Sequence, residues 1–388
     1  MPALQNKHYF NYGGQGPLPN HSLNAITQSW QKIQELGPFT SSIWPFVANE
    51  THRTRSHLAG ICGVPSHRLA LTENVTSGCV LPLWGLPFKP GDRILITDSE
   101  HPGVVGACYE IAKRLDLTVD TLRIQQITNG RLEERLNTQE FLDEIEKKLF
   151  KNTRLVVISH LLWNTGQLVP IGDISQRLNN HPRKPYLLVD GAQSFGQIPI
   201  DEIASKTDIY AFTGHKWAFG PEGLGGVALS ERVISDSSPT LVGWRSLKNE
   251  NQGLGKYEER YHRDSRRFEI ATSCIPLMSG FRASLELIEQ TVTNLQRLEK
   301  IQELSGFLWE ELSKIKNVKT VLKGIPPAGI VSFRIDSKFK QSKFVKLLSK
   351  RNMFIRDIIE PNCLRACVHI TSTDQEIKDL IEIIKEIA

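Results

Sequence analysis

Seven short apolar runs alternate with helical stretches between residues 60 and 230 of this 388-residue chain. The runs cover residues 68–72, 92–98, 117–124, 154–160, 186–190, 208–213 and 225–230, and the helical stretches 75–86, 103–114, 138–149 and 172–180. Strands that alternate with helices form a mostly parallel sheet with helices on both faces. The sequence therefore predicts an α/β fold, and such sheets bind ligands beyond the carboxyl ends of their strands.

A different pattern follows residue 230. Residues 235–268 are rich in Ser, Gly, Asn and Arg and predict a long irregular connection, which precedes an amphipathic helix from about 276 to 315. A smaller α+β unit is then predicted from the runs 318–323, 329–335, 353–358 and 366–371, a helix at 341–351 and a closing helix from Thr373. We expect an N-terminal segment (1–20) that packs on this unit, a large domain (21–265) and a small C-terminal domain (266–388).

Composition excludes several classes of protein. Lys and Arg exceed Asp and Glu by 47 to 42, a mild excess that predicts neither nucleic-acid nor membrane binding; the basic stretch 338–351 has the pattern of a solvated helix face. The six cysteines are widely spread without a C-x-x-C pair, which argues against a metal site and against a disulfide framework. No segment has the pattern of a signal peptide or membrane span, and we expect a cytoplasmic protein.

Polar residues follow four of the predicted strands. Thr76 and Ser77 stand where a helix begins, a position that suits a phosphate group, although N-capping more often explains such residues when they are taken alone. His101 follows the next strand and fits ring stacking or acid–base catalysis, although a hydrogen-bonded loop histidine without a catalytic role is the more common case. Asp190 ends a strand of Leu and Val, where an unpaired carboxylate would be unfavourable. Lys216 lies 26 residues later in a glycine-rich turn, where a lysine with a lowered pKa can form a Schiff base.

The pair D-G-A-Q-S (190–194) and T-G-H-K-W-x-x-G-P-x-G (213–223) resembles the class V branch of the fold-type I pyridoxal-phosphate enzymes. This group contains cysteine desulfurases, kynureninase and isopenicillin epimerase-like proteins. The resemblance extends from NYGGQGPLP near the start to LRACVHITST near the end. It implies a large domain built on a mostly parallel seven-stranded sheet, a smaller α+β domain, the cofactor pyridoxal 5'-phosphate, an amino-acid substrate and a homodimer with active sites at the interface.

The resemblance also implies roles for individual residues. Lys216 would hold the cofactor covalently and act as a base, Asp190 would keep its pyridine nitrogen protonated, and Arg365 would bind the substrate α-carboxylate. Further cofactor contacts are implied for His101 (ring stacking and catalysis), Gln193 and Asn164 (phenolic oxygen), and Thr76, Ser77, Thr213 and His215 (phosphate). Thr272 would complete the phosphate site of the partner subunit. Gly14 and Trp244 are candidates for substrate contact, with turn formation or packing as equal alternatives.

The region before Arg365 separates the possible reactions. Cysteine desulfurases carry a nucleophilic cysteine in contexts such as R-x-G-x-H-C, whereas this chain reads I-R-D-I-I-E-P-N-C-L-R (355–365), with Cys363 too close to Arg365 for a mobile loop. The chain looks similar to the cyanobacterial cystine C–S lyases of this family. We therefore expect β-elimination of L-cystine, and more weakly of L-cysteine, to pyruvate, ammonia and cysteine persulfide or sulfide.

Other readings remain open at this stage. The resemblance links such lyases to sulfur delivery for iron–sulfur clusters, which implies an acceptor protein. The enzymatic alternatives are a cysteine desulfurase with a relocated cysteine, and an epimerase or aminotransferase. The alternative of a different class is a scaffold that binds the cofactor without turnover; a combination of Lys216, Asp190 and Arg365 argues against it, because a binding protein needs no grip on a carboxylate.

Overall fold

A seven-stranded, a four-stranded and a two-stranded β-sheet organise the computed structural model, which describes residues 1–124, 138–248 and 261–388. Strands are numbered along the chain from β1 (His8–Tyr9). The larger sheet has seven strands: β2 (Leu69–Thr72), β3 (Arg93–Thr97), β4 (Thr118–Leu122), β5 (Thr153–Ser159), β6 (Tyr186–Asp190), β7 (Ile209–Thr213) and β8 (Gly225–Leu229). Their order is β2-β8-β7-β6-β5-β3-β4, and only β8 runs antiparallel to its neighbours. The predicted mostly parallel seven-stranded sheet is confirmed.

Both faces of this sheet are buried, which explains why its strands are continuous apolar runs. In β6, Leu187 and Val189 belong to the hydrophobic core on one face, whereas Tyr186 and Leu188 belong to the core on the other. Successive side chains of a strand point to opposite faces, so each strand supplies both cores. The polar residues that follow the strands are consequently concentrated at the carboxyl edge of the sheet.

Helices cover the two faces, and the four that were predicted here agree with the structure to within two residues at each end. The helices are α1 (Asn20–Leu36), α2 (Ile43–Ile61), α3 (Val75–Gly85), α4 (Pro102–Leu115), α5 (Thr138–Lys148), α6 (Ile171–Asn180), α7 (Asp201–Ala204) and α8 (Glu231–Asp236). Short 3-10 helices occur at Pro2–Leu4, Ser66–Arg68, Trp244–Ser246 and Ser265–Phe268. At the start of α3, the Ser77 N–H donates to the Asn74 side chain at 2.9 Å, an N-cap that fixes where the helix begins.

The second sheet belongs to the C-terminal part of the chain. Its strands are β9 (Val318–Thr320), β10 (Ile330–Ile335), β12 (Arg356–Ile358) and β13 (Cys363–Cys367), which pair antiparallel in the order β12-β13-β10-β9. The helices of this part are α9 (Ile275–Thr291), α10 (Asn294–Ser313), α11 (Gln341–Ser349) and α12 (Asp374–Ile387). Helices α10, α11 and α12 enclose a separate hydrophobic core that includes Leu308, Phe333 and Leu380, whereas α9 packs in a core of the large sheet.

Three predictions for this part were wrong in detail. The single helix from about 276 to 315 is two helices, because Thr293 and Gln296 form a reciprocal capping box that starts α10. The run at 353–358 divides into β11 (Met353–Phe354) and β12. The strand expected at 366–371 lies earlier, at Cys363–Cys367, and this shift aligns Arg365 with the residues of β12.

The N-terminal segment is bonded to the C-terminal part of the chain. Strand β1 and β11 form the parallel two-stranded sheet, and the Cys367 N–H of β13 donates to the Phe10 carbonyl at 2.7 Å. The domain boundaries proposed from sequence stay a prediction, and residues 249–260 of the expected connection lie outside the described residues. In the described ranges, no helix is long and apolar enough to cross a membrane.

Candidate active site

A cavity of about 650 Å³ opens at the carboxyl edge of the large sheet, where the second sheet and the N-terminal segment meet it. Nine of the residues singled out from sequence line this cavity: Gly14, Thr76, Ser77, His101, Asp190, Gln193, His215, Lys216 and Arg365. They come from the N-terminal segment, from four loops that follow strands of the large sheet, and from β13. The structure thus brings together residues that are as much as 351 positions apart in the sequence.

One end of the cavity suits a phosphate group. Thr76 and Ser77 lie in the first turn of α3, where backbone N–H groups and the helix dipole favour an anion. His215 faces the same cavity, and its Nδ1 lies 2.7 Å from the Thr213 hydroxyl. Thr213 itself is fully buried behind His215 and is not part of the lining. In this arrangement Thr213 orients His215, and its direct contact with a phosphate stays a prediction.

Among the described residues that line this cavity, Lys216 alone carries an amine. Burial lowers the pKa of Lys216 to about 8; Asp190 raises it, whereas the nearby Arg365 and Arg356 guanidinium groups lower it further. An amine with this pKa has a much larger neutral fraction near physiological pH than an ordinary lysine, and the neutral amine is a nucleophile and a base. The lysine-bearing turn is also held from outside, because the Gly16 N–H donates to the His215 carbonyl at 2.7 Å.

Asp190 is a buried carboxylate at the end of β6. Its Oδ1 accepts a hydrogen bond from the Ala192 N–H at 2.9 Å, and no ion pair within the described ranges neutralises it. Nearby, the buried Glu100 carboxyl accepts hydrogen bonds from the hydroxyls of Thr97 (2.6 Å) and Ser159 (2.7 Å). Burial raises the pKa of Glu100 to about 7, and the negative charge of Asp190 contributes to that rise. Asp190 is therefore available to a cationic group inside the cavity.

Two contacts fix the orientation of the Gln193 amide. Its Oε1 accepts from the Trp217 indole N–H at 2.9 Å, and its Nε2 donates to the Gly13 carbonyl at 2.9 Å. An indole N–H can only donate and a carbonyl can only accept, so the amide cannot be reversed without losing both bonds. The second Nε2 hydrogen of Gln193 is left for a group within the cavity.

His101 stands at the exposed rim, where its Nδ1 accepts from the Gly103 N–H at 3.2 Å. Partial burial lowers the pKa of His101, Lys216 and Arg356 lower it further, and Asp190 opposes them. Its ring lies edge-on to Trp163, with the ring centroids 5.9 Å apart. A neutral, flat imidazole at this rim is suited to contact a planar ring in the cavity.

Two arginines enter from the second sheet. Arg365 is 1% exposed, and its two described hydrogen bonds go to neutral acceptors, namely the Trp163 carbonyl (2.7 Å) and Asn11 Oδ1 (3.2 Å). Arg356 is its register partner on β12, so both side chains lie on the same face of the sheet, and Arg356 is exposed within the lining. No carboxylate of the described residues forms an ion pair with either arginine.

Sequence reasoning missed Arg356 and Trp163. Arg356 belongs to an apolar run, and only the antiparallel pairing of β12 with β13 reveals that it shares a face with Arg365. The available signal was that Arg356 stands two residues before the apolar Ile358. Residues two apart in a strand share a face, so the pattern places a charged side chain on the same face as an apolar one. Trp163 gave no signal, since a tryptophan after a strand is usually a packing residue.

Three other predicted residues lie outside this cavity. Asn164 is buried beside it, with its Nδ2 donating to the Glu360 carbonyl at 3.2 Å and its Oδ1 without a partner among the described residues. Trp244 and the exposed Thr272 instead line a separate cavity of about 240 Å³. Neither residue lines the Lys216 cavity of its own chain.

The cavity fits pyridoxal phosphate by the chemistry of its lining. It holds an amine of lowered pKa, a buried carboxylate without a counter-ion and a helix N-terminus, which complement an aldehyde, a protonated pyridine nitrogen and a phosphate. The unpartnered buried Asn164 Oδ1 marks a further group that a ligand or a water molecule would satisfy. No three His, Cys, Asp or Glu side chains of the described chain are placed to hold a metal ion.

Comparison with known proteins agrees with this chemistry. Residues 41–379 match the family model of class-V aminotransferases. Two solved structures of C-DES superimpose with a TM-score of 0.92 at 36% identity, each covering 99% of this chain and at least 98% of that one. One is a lysine-to-alanine mutant with glycine covalently linked to the PLP cofactor. The other is described as the cystine C–S lyase C-DES in complex with its reaction product, cysteine persulfide.

More distant relatives have other names. The cysteine desulfurase of Haloferax volcanii is 26% identical over 69% of this chain, a match that spans 60% of that enzyme. The isopenicillin N epimerase of Amycolatopsis lactamdurans is 25% identical over all of this chain and 96% of its own length. A cysteine desulfurase structure from Thermococcus onnurineus NA1, at 20% identity and a TM-score of 0.85, supports the fold alone.

The Lys216 amine should titrate near pH 8 in cofactor-free protein, because it is buried close to two arginines. NMR of protein labelled by reductive ¹³C-methylation should resolve this amine from the solvent-exposed lysines, which titrate at about pH 10.4. Asp190→Asn removes a negative charge that raises the pKa of Lys216, so the titration midpoint should fall below that of the wild type. A Lys216 midpoint within the range of the surface lysines would contradict the geometry.

Proposed function

The chain belongs to the class-V aminotransferase family of pyridoxal-phosphate enzymes, and from that premise we propose that it is a C–S lyase. The proposed reaction is β-elimination of L-cystine to pyruvate, ammonia and cysteine persulfide, with one water consumed and no net oxidation or reduction. It acts more weakly on L-cysteine, which yields sulfide. The observation that carries the proposal is the pair of arginines, one buried and one exposed, in a cavity that no cysteine lines.

The chain's own residues account for the first steps. When bound, the cofactor supplies a pyridine ring that accepts the electron pair left at the substrate Cα. Asp190, without a counter-ion of its own, would hold the proton on the ring nitrogen. Lys216, with its pKa near 8, is the base that takes the proton from Cα. Gln193 directs its free N–H into the cavity, where it would bind the phenolic oxygen.

Arg365 is the receptor for the substrate α-carboxylate. The guanidinium is nearly inaccessible to solvent and has only neutral hydrogen-bond partners among the described residues. A buried cation without a counter-ion is unfavourable, and a bidentate carboxylate would compensate it. Because Arg365 lies near Lys216, a substrate bound by its α-carboxylate would have its Cα close to the Lys216 amine.

Arg356 favours a substrate with a second carboxylate. It lies opposite Arg365 in the same strand pair, but towards the solvent, and forms no described ion pair. L-Cystine carries one amino-acid group at each end of its disulfide, so a second carboxylate would reach the outer arginine while the first is held by the inner one. A single cysteine molecule would leave Arg356 without a partner, which accounts for the proposed preference.

The cysteines argue against a desulfurase that stores sulfur on the enzyme. All six lie within the described residues; five are buried, and the exposed Cys274 lines the separate Trp244 cavity. Cys363 is fully buried against Val321 and Ile358, and burial raises its pKa to about 12. A buried thiol of that pKa is not a nucleophile. Elimination needs none, because the persulfide leaves with the electron pair of the broken C–S bond.

Purified holoenzyme given cystine should form one pyruvate and one persulfide for each cystine consumed, without an added keto acid. Cys363→Ala should leave the rate unchanged, because this thiol does not reach the cavity. Lactate dehydrogenase coupling measures pyruvate, and cyanolysis measures the persulfide. Loss of sulfur release in Cys363→Ala would favour a cysteine desulfurase. A reaction that depends on an added keto acid would favour an aminotransferase, and inversion of the substrate at Cα without pyruvate would favour an epimerase.

Arg356→Leu should raise the KM for cystine by roughly 10- to 100-fold, because a charged hydrogen bond to the outer carboxylate is lost. The KM for β-chloro-L-alanine, which has one carboxylate and its own leaving group, should change less than threefold. Arg365→Leu is the matched control and should impair both substrates. Steady-state kinetics with the two substrates measures these KM values. An equal rise of the KM for cystine and for β-chloro-L-alanine in Arg356→Leu would contradict the proposal that Arg356 binds the outer carboxylate.

We also propose that the active protein is a homodimer in which Thr272 and Trp244 serve the partner's cavity. Thr272 is exposed and belongs to a separate pocket, lined also by Trp30, Trp44 and Trp244. Trp30 and Trp44 are 48% and 58% exposed, and Phe39 is 91% exposed. Exposed aromatic side chains that line one pocket, as Trp30 and Trp44 do, indicate an association surface. A second copy of the chain would cover this surface and supply Thr272 to a phosphate site.

A cytoplasmic location and delivery of sulfur to an iron–sulfur acceptor stay predictions from the resemblance.

Mixing two inactive variants tests this arrangement. Lys216→Ala lacks the amine, and Thr272→Trp would block the partner's phosphate site if Thr272 reaches it. After mixing under dissociating conditions and reconstitution, hybrid dimers contain one intact site, so activity should recover to about a quarter of the wild type. Neither variant alone should recover. An active Thr272→Trp variant, or no recovery in verified hybrid dimers, would contradict the proposal.

A further inference from the structure

Arg365 has one side-chain partner among the described residues, and that partner is Asn11. Arg365 Nη2 donates to Asn11 Oδ1 at 3.2 Å, and its other described acceptor is the backbone carbonyl of Trp163. A guanidinium can only donate, so the Asn11 amide must turn its oxygen towards Arg365. Asn11 therefore holds the guanidinium without neutralising its positive charge.

Backbone bonds hold the segment that carries Asn11 against the strand of Arg365. The Phe10 N–H donates to the Phe354 carbonyl at 2.8 Å, and the Phe10 carbonyl accepts from the Cys367 N–H at 2.7 Å. The residue before Asn11 is thus bonded to the residue two positions after Arg365. This register makes the Asn11–Arg365 contact a consequence of backbone pairing, so the acceptor has a fixed place.

Gly14 leaves the space that Asn11 occupies. A Cβ built on Gly14 would lie 2.7 Å from Asn11 Nδ2 and 2.9 Å from Oδ1, closer than side-chain atoms can approach. The neighbouring Gly13 packs on the guanidinium itself, where a Cβ would lie 3.1 Å from Arg365 Cζ. The two glycines therefore allow Asn11 and Arg365 to approach, which gives Gly14 a role other than contact with the substrate.

We propose that Asn11 is a positioning residue that orients the Arg365 guanidinium for the substrate α-carboxylate. The inference rests on the role proposed above for Arg365. A two-pronged contact requires the plane of the guanidinium to coincide with that of the carboxylate. Without Asn11, one donor edge loses its acceptor and the plane is free to turn about the bond to the Trp163 carbonyl. The charge remains, but the geometry that recognises a carboxylate is lost.

Asn11→Ala holoenzyme should bind L-alanine about tenfold more weakly than the wild type, whereas its affinity for L-alaninamide should stay within twofold. Alanine has no β leaving group, so spectral titration of the holoenzyme measures binding without turnover. The two ligands differ only in replacing the carboxylate by a neutral amide, which a general packing defect would not distinguish. Gln15→Ala is the matched control, because the Gln15 side chain lies in the same segment without a described contact to Arg365. Its affinities for L-alanine and L-alaninamide should equal those of the wild type.

Gly14→Ala provides a second route to the same result, because the added methyl group displaces the Asn11 side chain. It should reproduce the selective loss of alanine binding, which protects the test if Asn11→Ala folds poorly. Equal weakening of both ligands, or no change for alanine, in a folded Asn11→Ala or Gly14→Ala protein would overturn the role of Asn11. If the wild type itself does not prefer alanine to alaninamide, the proposed role of Arg365 fails first, and the inference fails with it.

Discussion

Buried charges that do not neutralise one another are the constraint on which this site depends. Asp190 and Arg365 are each at most 5% exposed, and neither forms an ion pair with a described residue. Lys216 lies with them at the same cavity, and burial lowers its pKa to about 8. A folded chain tolerates such groups when a ligand supplies the missing counter-charges. A cofactor with a cationic ring nitrogen and a substrate with a carboxylate would supply both.

The fold keeps these groups apart by carrying them on different elements. Asp190 is the last residue of β6 and Lys216 follows the parallel neighbour β7, whereas Arg365 belongs to the antiparallel sheet of the C-terminal part. The N-terminal segment joins the two through backbone bonds to β11, β13 and the turn of Lys216. A further bond, from the buried His369 imidazole to the Trp217 carbonyl at 2.9 Å, connects the same turn to the residues that follow β13. The distance between amine and guanidinium is thus set by tertiary contacts.

Sequence alone predicted the strands of the large sheet and the site residues at or just after their ends. The alternation of apolar runs located β5, β6 and β7, and Asp190 and Lys216 followed from their positions at strand ends. Contacts between distant segments left no such pattern. The pairing of Arg356 with Arg365, and the bond from Arg365 to Asn11, depend on register and on backbone crossings that no local period records. The break between α9 and α10 is different, because the Thr293–Gln296 capping box was visible in the sequence and was overlooked.

Burial makes the Lys216 amine nucleophilic, and we propose that this amine holds the aldehyde cofactor. The most direct measurement reconstitutes the protein with pyridoxal phosphate, reduces it with borohydride and maps the labelled peptide by mass spectrometry. We expect a single stoichiometric label on Lys216, with labelling abolished in Lys216→Ala. A label on surface lysines alone, with Lys216 unmodified in folded protein, would contradict the account.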